Sequence, residues 1–236
     1  MKEELGNKQF FITPVHDCSY LPKRQANTLF LDPRETITAG IYQSLSEQGF
    51  RRSGSHLYRP HCEDCQACVP TRVPVAKFQP KRRQRRVLAK NQDLKVRVKP
   101  AAYDPEYYDL YARYITQRHG DGDMYPPSID QFRSFLLSQW SETSFVCLYR
   151  GSDLLSVAVT DEQQRAMSAI YTFFDPDYPE RSLGVLSILK QIELCQALDL
   201  PHLYLGYWIR ESAKMSYKTE YRPVELFLNG RWITIS

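Results

Sequence analysis

Hydrophobic positions change their spacing several times along the chain, and each change marks an element. Over residues 33–48, Ile37, Ile41 and Leu45 recur four apart on one helix face. Asp32 stands at the N-cap, Pro33 in the first turn and Glu35 where a capping box wants its acid, while Gly49 supplies a stop. A cysteine-rich loop over 60–70, a strand over 71–78 and a helix over 81–91 follow, with Pro80 just ahead of the helix. Asp104-Pro-Glu opens a helix whose apolar face is Tyr107, Tyr108, Tyr111, Tyr114 and Ile115, with Gly120 near its end. Ser128-Ile-Asp-Gln131 is a capping box for another, carrying Phe132, Phe135, Leu136 and Trp140.

Beyond it the period becomes extended. Residues 145–150, 154–160 and 167–174 read as three antiparallel strands, with turns at Gly151-Ser-Asp and 161–165. A helix over 183–198 buries Leu186, Leu189, Ile192 and Leu198, Pro201 stops it, and 202–209 is the next strand. A short helical stretch over 212–217 and a hairpin, 224–228 with 231–235 across Asn229-Gly230, complete the pattern. This order is that of an acetyltransferase-like (GNAT) fold. The expected class is α+β: a small N-terminal module with a cysteine loop and basic helix, residues 1–95, and a GNAT-like acyltransferase domain with a mixed, mostly antiparallel sheet, residues 96–236.

Composition adds a compartment. Hydrophobic residues make up 42% of the 236, enough for a real core, and no stretch approaches the roughly 20 apolar residues of a membrane span. Met1-Lys-Glu-Glu-Leu-Gly-Asn7 has charges and no apolar core, so no secretory leader is expected. Six cysteines without a leader imply a reducing, cytoplasmic setting, where a cysteine cluster means metal or chemistry more often than disulfides.

Charge adds a partner. The whole chain is +4, yet residues 77–99 hold ten Lys or Arg and one Asp, so the remainder is net acidic. On a helix Arg82 and Arg86 share a face, with Lys81, Arg83, Arg85 and Lys90 around it. Arginine forks suit phosphate oxygens, and without a DNA-reading motif beside them they point to the backbone of a structured RNA. The plainer alternative is a solvated surface helix.

Two further segments carry chemistry. Cys62, Cys65 and Cys68 stand at three-residue steps, with Cys18 upstream as a fourth thiol. Such thiolates can converge on zinc or an iron–sulfur cluster; otherwise they are reduced thiols packed in a loop. Cys147 and Cys195 fall on a strand and a helix and read as core. In Tyr204-Leu-Gly-Tyr-Trp, Gly206 weakens a bulky strand unless something approaches its backbone. Tyr217, Lys218, Tyr221 and Arg222 gather hydroxyls and cations just beyond. A tyrosine-rich core edge explains any one of them, and a site explains the concentration.

These segments together resemble one family, the arginyl-tRNA–protein transferases, and within it the bacterial aspartate/glutamate leucyltransferase branch. The matching stretches are Cys18-Ser-Tyr, Gln48-Gly-Phe-Arg-Arg-Ser-Gly54, Tyr58-Arg-Pro, Cys62 to Arg72, and Phe78-Gln-Pro with the arginines after it. They continue through Arg118-His-Gly-Asp-Gly-Asp-Met124, Tyr171-Thr-Phe-Phe-Asp-Pro-Asp-Tyr178, Ser182-Leu-Gly, Leu205-Gly-Tyr-Trp-Ile and Lys214-Met-Ser-Tyr-Lys-Thr-Glu-Tyr-Arg-Pro223. The resemblance implies leucyl transfer from leucyl-tRNA to proteins beginning with Asp or Glu, in N-degron tagging. Arginyl transfer to the same acceptors is the alternative. Eukaryotic relatives carry two cysteines around the segment matching Cys18, with which an iron–sulfur cluster is associated; here Leu21 occupies the second place.

The ester on a charged tRNA is already activated, so the chemistry requires no cofactor: an amine attacks, and the ribose hydroxyl leaves. Asp175, Tyr207 or Tyr217 are candidates for relaying the amine proton. Backbone N–H groups beside Gly206 are candidates for steadying the oxyanion. Lys218 or Arg222 is expected to pair with the acceptor's acidic side chain, with Arg118 and Lys214 next in line. His119, Asp121 and Tyr221 join the substrate-binding candidates through the matched stretches. Two rivals remain. A non-catalytic RNA-binding protein leaves the transferase half unexplained. A coenzyme A–dependent acetyltransferase leaves the basic segment unexplained, and Arg181-Ser-Leu-Gly184-Val-Leu only half resembles its pyrophosphate loop.

Overall fold

Three sheets organise the chain in the computed structural model, which describes residue 6 and residues 8–236. The leaderless reading of 1–7 therefore lies outside the described residues, Gly6 excepted. No described helix is long and apolar enough to cross a membrane.

The N-terminal part begins with β1 (Phe10–Ile12), β2 (His16–Asp17), β3 (Gln25–Ala26) and β4 (Thr28–Leu31). It continues with α1 (Ala39–Glu47), β5 (Arg51–Ser53) and β6 (His56–Pro60). β2 and β3 form a two-stranded ribbon, and the other four strands an antiparallel sheet ordered β1-β4-β6-β5. Ile41, Tyr42 and Leu45 of α1 close a core with Leu31, Phe50 and Leu57. The helix expected from 33 starts six residues later, capped by the Thr38 hydroxyl, which accepts from Ile41 N at 3.2 Å. The acids that looked like a cap are engaged elsewhere. Asp32 receives three nitrogens of Arg34, and Glu35 is held by Lys8 and by Gln9 N.

Next come β7 (Val69–Pro74), α2 (Arg82–Lys90), β8 (Lys95–Pro100), α3 (Pro105–Arg118) and α4 (Ile129–Leu136). The remaining elements are β9 (Glu142–Arg150), β10 (Asp153–Gln163), β11 (Ala166–Phe174), α5 (Leu183–Ala197), β12 (His202–Trp208), β13 (Val224–Leu228) and β14 (Arg231–Ile235). The large sheet runs β14-β13-β7-β12-β11-β10-β9-β8. β11 and β12 are parallel neighbours and the other described pairs are antiparallel, which gives the mixed, mostly antiparallel α+β class. β7 lies between β13 and β12, so a strand from the first 95 residues is interior to this sheet.

Both faces of its centre are covered, which is why β9 to β11 read as nearly unbroken apolar runs. Phe145, Cys147 and Tyr149 face α3 and α4, while Leu148 and Leu155 face α5. Cys147 and Cys195 are fully buried, as core packing requires. Trp140 lies past the end of α4 and packs edge-on to Tyr42 at 5.1 Å, and Leu198 is 47% exposed at the end of α5. The strand expected over 71–78 ends at Pro74 in a 3-10 turn, Val75–Lys77, and the helical stretch expected over 212–217 is a 3-10 turn, Ser216–Glu220.

One bolt joins the two parts. Arg52 of β5 and Asp161 of β10 form a side-on pair, Nε to Oδ2 at 2.6 Å and Nη2 to Oδ1 at 2.8 Å, with neither side chain exposed. Tyr42 and Thr143 donate their hydroxyls to the same carboxylate, and Arg52 also reaches the Gly54 and Leu136 carbonyls.

Candidate active site

β11 and β12 pair only from Ala166 and His202 to Ser168 and Tyr204. Past that point β11 follows β10 and β12 follows β7, so the two strands part at their carboxyl ends. In open α/β sheets the carboxyl ends of parallel strands that part in this way leave a crevice that accepts ligands, and β11 and β12 are such a pair. The register of β12 against β7 shifts between Tyr204 and Gly206, and Gly206 sits at φ +85°, left-handed backbone that an L side chain resists.

Two cations flank that glycine. Arg51 arrives from β5, donating Nη1–H to Ser168 Oγ at 2.6 Å and Nη2–H to the Ala169 carbonyl at 2.5 Å. Lys218 arrives from the Ser216–Glu220 turn, and its Nζ donates to the Tyr207 carbonyl at 2.8 Å and approaches Met215 Sδ at 3.3 Å. A Cβ on Gly206 would lie 3.3 Å from Lys218 Nζ and 3.5 Å from Arg51 Nε. Arg51 is 7% exposed and Lys218 5%, and neither meets a carboxylate among the described residues. Burial, then the nearby Arg51 charge, bring the Lys218 ammonium down to about 7. Two desolvated, uncompensated cations side by side are costly to the fold and suited to an anion.

Of the residues expected at the site, Gly206 and Lys218 meet here, with the Tyr217 ring 6.0 Å from Lys218 Nζ. Tyr207 points the other way, its hydroxyl between the Gly49 and Tyr58 carbonyls at 3.0 and 3.1 Å. Arg118, Asp121 and Lys214 lie near His119. His119 lies 3.3 Å from the Tyr114 hydroxyl, and burial, Lys214 and Arg118 hold its imidazole below the usual range while Asp121 opposes them. Asp175 is gripped by Arg113 at 3.1 and 3.2 Å and lines a separate depression with Glu106, Asp109 and Asp153. Tyr221 is buried against Phe78, and Arg222 donates to the Thr219 carbonyl at 3.2 Å and to the Ser236 carbonyl. Sequence reasoning missed Arg51 and Ser168.

Cys62, Cys65 and Cys68 lie between β6 and β7, and Cys18 at the β2–β3 turn. Burial, then Cys18, Cys62 and Cys65, push the Cys68 thiol up to about 12, so the other three sulfurs lie near Cys68; Lys218 opposes this shift, so Cys68 itself lies near that ammonium. As placed, no three metal-ligating side chains among the described residues could share an ion.

α2 turns Gln84 and Val87 inward and leaves Lys81, Arg82, Arg83, Arg85, Arg86 and Lys90 exposed around its start and outer face. β8 continues the positive surface as an edge strand with Lys95, Arg97 and Lys99 exposed. Arg83 pairs with Glu220 at 3.4 Å and Gln84 reaches the Glu220 carbonyl at 3.5 Å. The basic helix therefore abuts the very turn that carries Lys218.

Residues 16–86 match the family described as arginine-tRNA-protein transferase, N terminus, and residues 106–228 match its C terminus. A protein of Alcanivorax borkumensis named aspartate/glutamate leucyltransferase is 56% identical over 97% of this chain and 95% of its own length. One of the same name from Pseudomonas fluorescens is 53% identical over 99% of each. Among solved structures, FemX overlays with a TM-score of 0.49 at 8% identity, covering 91% of this chain and 83% of its own. L-PGS of Bacillus licheniformis overlays at 0.48 and 9% identity, covering 90% and 72%.

Proposed function

Because the chain belongs to the arginine-tRNA-protein transferase family, we propose that it transfers leucine from leucyl-tRNA to the N-terminal Asp or Glu of acceptor proteins. In the cytoplasm this would mark them for degradation through an N-degron. The observation that carries the reading is the crevice between β11 and β12, with two buried cations at Gly206 and a basic helix abutting the same turn. The parting parallel strands and the helices on both faces also favour a GNAT-like acyltransferase domain.

The acceptor amine, with a pKa near 7.7–8.0, is partly neutral at physiological pH. It attacks the ester carbonyl, the tetrahedral oxyanion collapses, and the ribose hydroxyl leaves with the proton. The reactants need chiefly to be held together, so positioning supplies much of the rate. Tyr217, beside Lys218, is better sited to relay the proton than Tyr207 or Asp175, whose polar atoms are already engaged. The ester is already activated, so none of these steps calls on zinc or an iron–sulfur cluster.

Mixing the protein with leucyl-tRNA or arginyl-tRNA and an Asp-starting peptide tests the reading. The peptide should gain one leucyl residue and free tRNA should be released. Arginyl addition alone would reassign the donor, and no addition from either would reject the function.

Replacing Arg82, Arg83, Arg85 and Arg86 by Ala should weaken all tRNAs alike, charged or not. The slope of log affinity against log salt should fall by about 0.7–0.9 for each phosphate the helix no longer neutralises. An unchanged slope would mean the helix faces solvent in the complex.

A further inference from the structure

Arg51 and its neighbour Arg52 make an instructive pair. Arg52 grips Asp161 side-on, through the edge formed by Nε and Nη2. Arg51 uses Nη1 for the Ser168 hydroxyl and one proton of Nη2 for the Ala169 carbonyl. Its Nε–H has no acceptor among the described residues, and Nη2, with one bond made, has a second proton to offer beside it. Those two nitrogens are the ones nearest Gly206, at 3.5 and 3.7 Å from where a Cβ would stand, and Lys218 Nζ lies at 3.3 Å from the same point. A free planar fork and an ammonium thus converge on one spot, and only glycine leaves that spot open.

We propose that Arg51 and Lys218 together form the pocket for the side-chain carboxylate of the acceptor's N-terminal residue, with Arg51 the residue that sets the preference for Asp and Glu. This rests on the transferase reading above. The paired donors of a guanidinium edge match the two oxygens of a carboxylate, and the ammonium adds a third donor. A phosphate of the tRNA is the other anion in the reaction. It is carried on bulky ribose, whereas these cations are 7% and 5% exposed, and the exposed arginines of α2 already offer phosphates a surface. An Asn or Gln side chain would turn an amide NH2 toward the cations, and a Lys would be repelled. Ser168 and the Ala169 carbonyl are positioning groups that aim the fork.

The test measures kcat/KM for peptides starting with Asp, Glu and Asn, and KM for leucyl-tRNA, in wild type and in Arg51→Gln, Arg51→Lys and Lys218→Met. Arg51→Gln should lower kcat/KM for Asp and Glu peptides about 10- to 150-fold, the value of a charge-assisted hydrogen bond. The slow Asn reaction should barely change, so the Asp-to-Asn ratio collapses, and KM for leucyl-tRNA should hold. Arg51→Lys, which keeps the charge but not the fork, should fall between. A merely structural arginine would depress Asp and Asn equally, and that outcome overturns the proposal. A rise in KM for leucyl-tRNA as large as the loss on Asp peptides would give the anion site to phosphate instead. Should Arg51→Gln not fold, Lys218→Met gives the same readout, since it removes a buried charge and leaves no acid behind. Wild type that leaves Asp peptides unmodified would reject the transferase reading, an outcome separate from all of these.

Discussion

Replacing Asp161 by Ala is expected to lower folding stability by about 3–5 kcal/mol, because it strands a fully buried guanidinium. The Arg52–Asp161 pair has no exposure on either side chain, so water cannot take the place of the missing carboxylate. Elsewhere a buried ion pair can often be exchanged for apolar residues at little cost, but here the surroundings forbid it. The Tyr42 and Thr143 hydroxyls donate to Asp161, and the Gly54 and Leu136 carbonyls accept from Arg52. Each orphaned group adds about 1–3 kcal/mol. The double variant Arg52→Met with Asp161→Leu should therefore recover little of the loss. Urea denaturation of the two variants decides it: a change under about 0.5 kcal/mol in Asp161→Ala, the range of an ordinary surface substitution, would reject the pin. The pin also matters for the site, since Arg51 is its neighbour on β5. Local disorder there would withdraw the fork from Ser168 and Ala169.

The elements whose signals are local were readable in the sequence. The β13–β14 hairpin follows from Asn229-Gly230, which takes φ +51° and +76°, the conformation a two-residue hairpin turn demands. α3 and α4 start where Asp104 and Ser128 said they would, each side chain accepting a first-turn N–H. The start of α1 was not readable, because Lys8 claims Glu35 from 27 residues away and Arg34 saturates Asp32. β1 to β3 are two or three residues long, too short for a period to show. β8 was hidden inside the charge run, although Lys95-Val-Arg-Val-Lys99 alternates as an exposed edge strand should.

The site divides along the same line. Gly206 and Lys218 were visible because a glycine in a bulky strand and a cation after it are anomalies of neighbouring residues. Arg51 was not, since the hydroxyl that aims it lies 117 residues later in the chain. Asp175 looked catalytic from its place at a strand end, yet what surrounds it is the Arg113 guanidinium and other acids. Arg222 stood next to Lys218 in a cation-rich stretch, but the turn sends it to the Ser236 carbonyl. Proximity in sequence could not tell these apart, because Lys218 lies inside the 3-10 turn and Arg222 beyond its end, where the chain turns toward β13.

Gly206→Ala is expected to cost transfer to Asp peptides about 100-fold in kcat/KM, the scale of a small misplacement at a reacting centre. Two effects are mixed in that substitution, and a second glycine separates them. At φ +85° an alanine is strained by about 1–2 kcal/mol, and Gly230, at φ +76°, imposes the same strain. What differs is the surroundings. A Cβ at Gly230 meets nothing within 4 Å, whereas at Gly206 it presses on Lys218 Nζ, which its bond to the Tyr207 carbonyl holds in place, and stands 3.5 Å from Arg51 Nε. Gly230→Ala should therefore lose similar stability by urea denaturation and keep its transfer rate. Gly206→Ala should lose both, with KM for the Asp peptide rising more than KM for leucyl-tRNA, since the methyl group occupies the space in front of the cations. Full activity in Gly206→Ala would mean that no part of the acceptor approaches this strand.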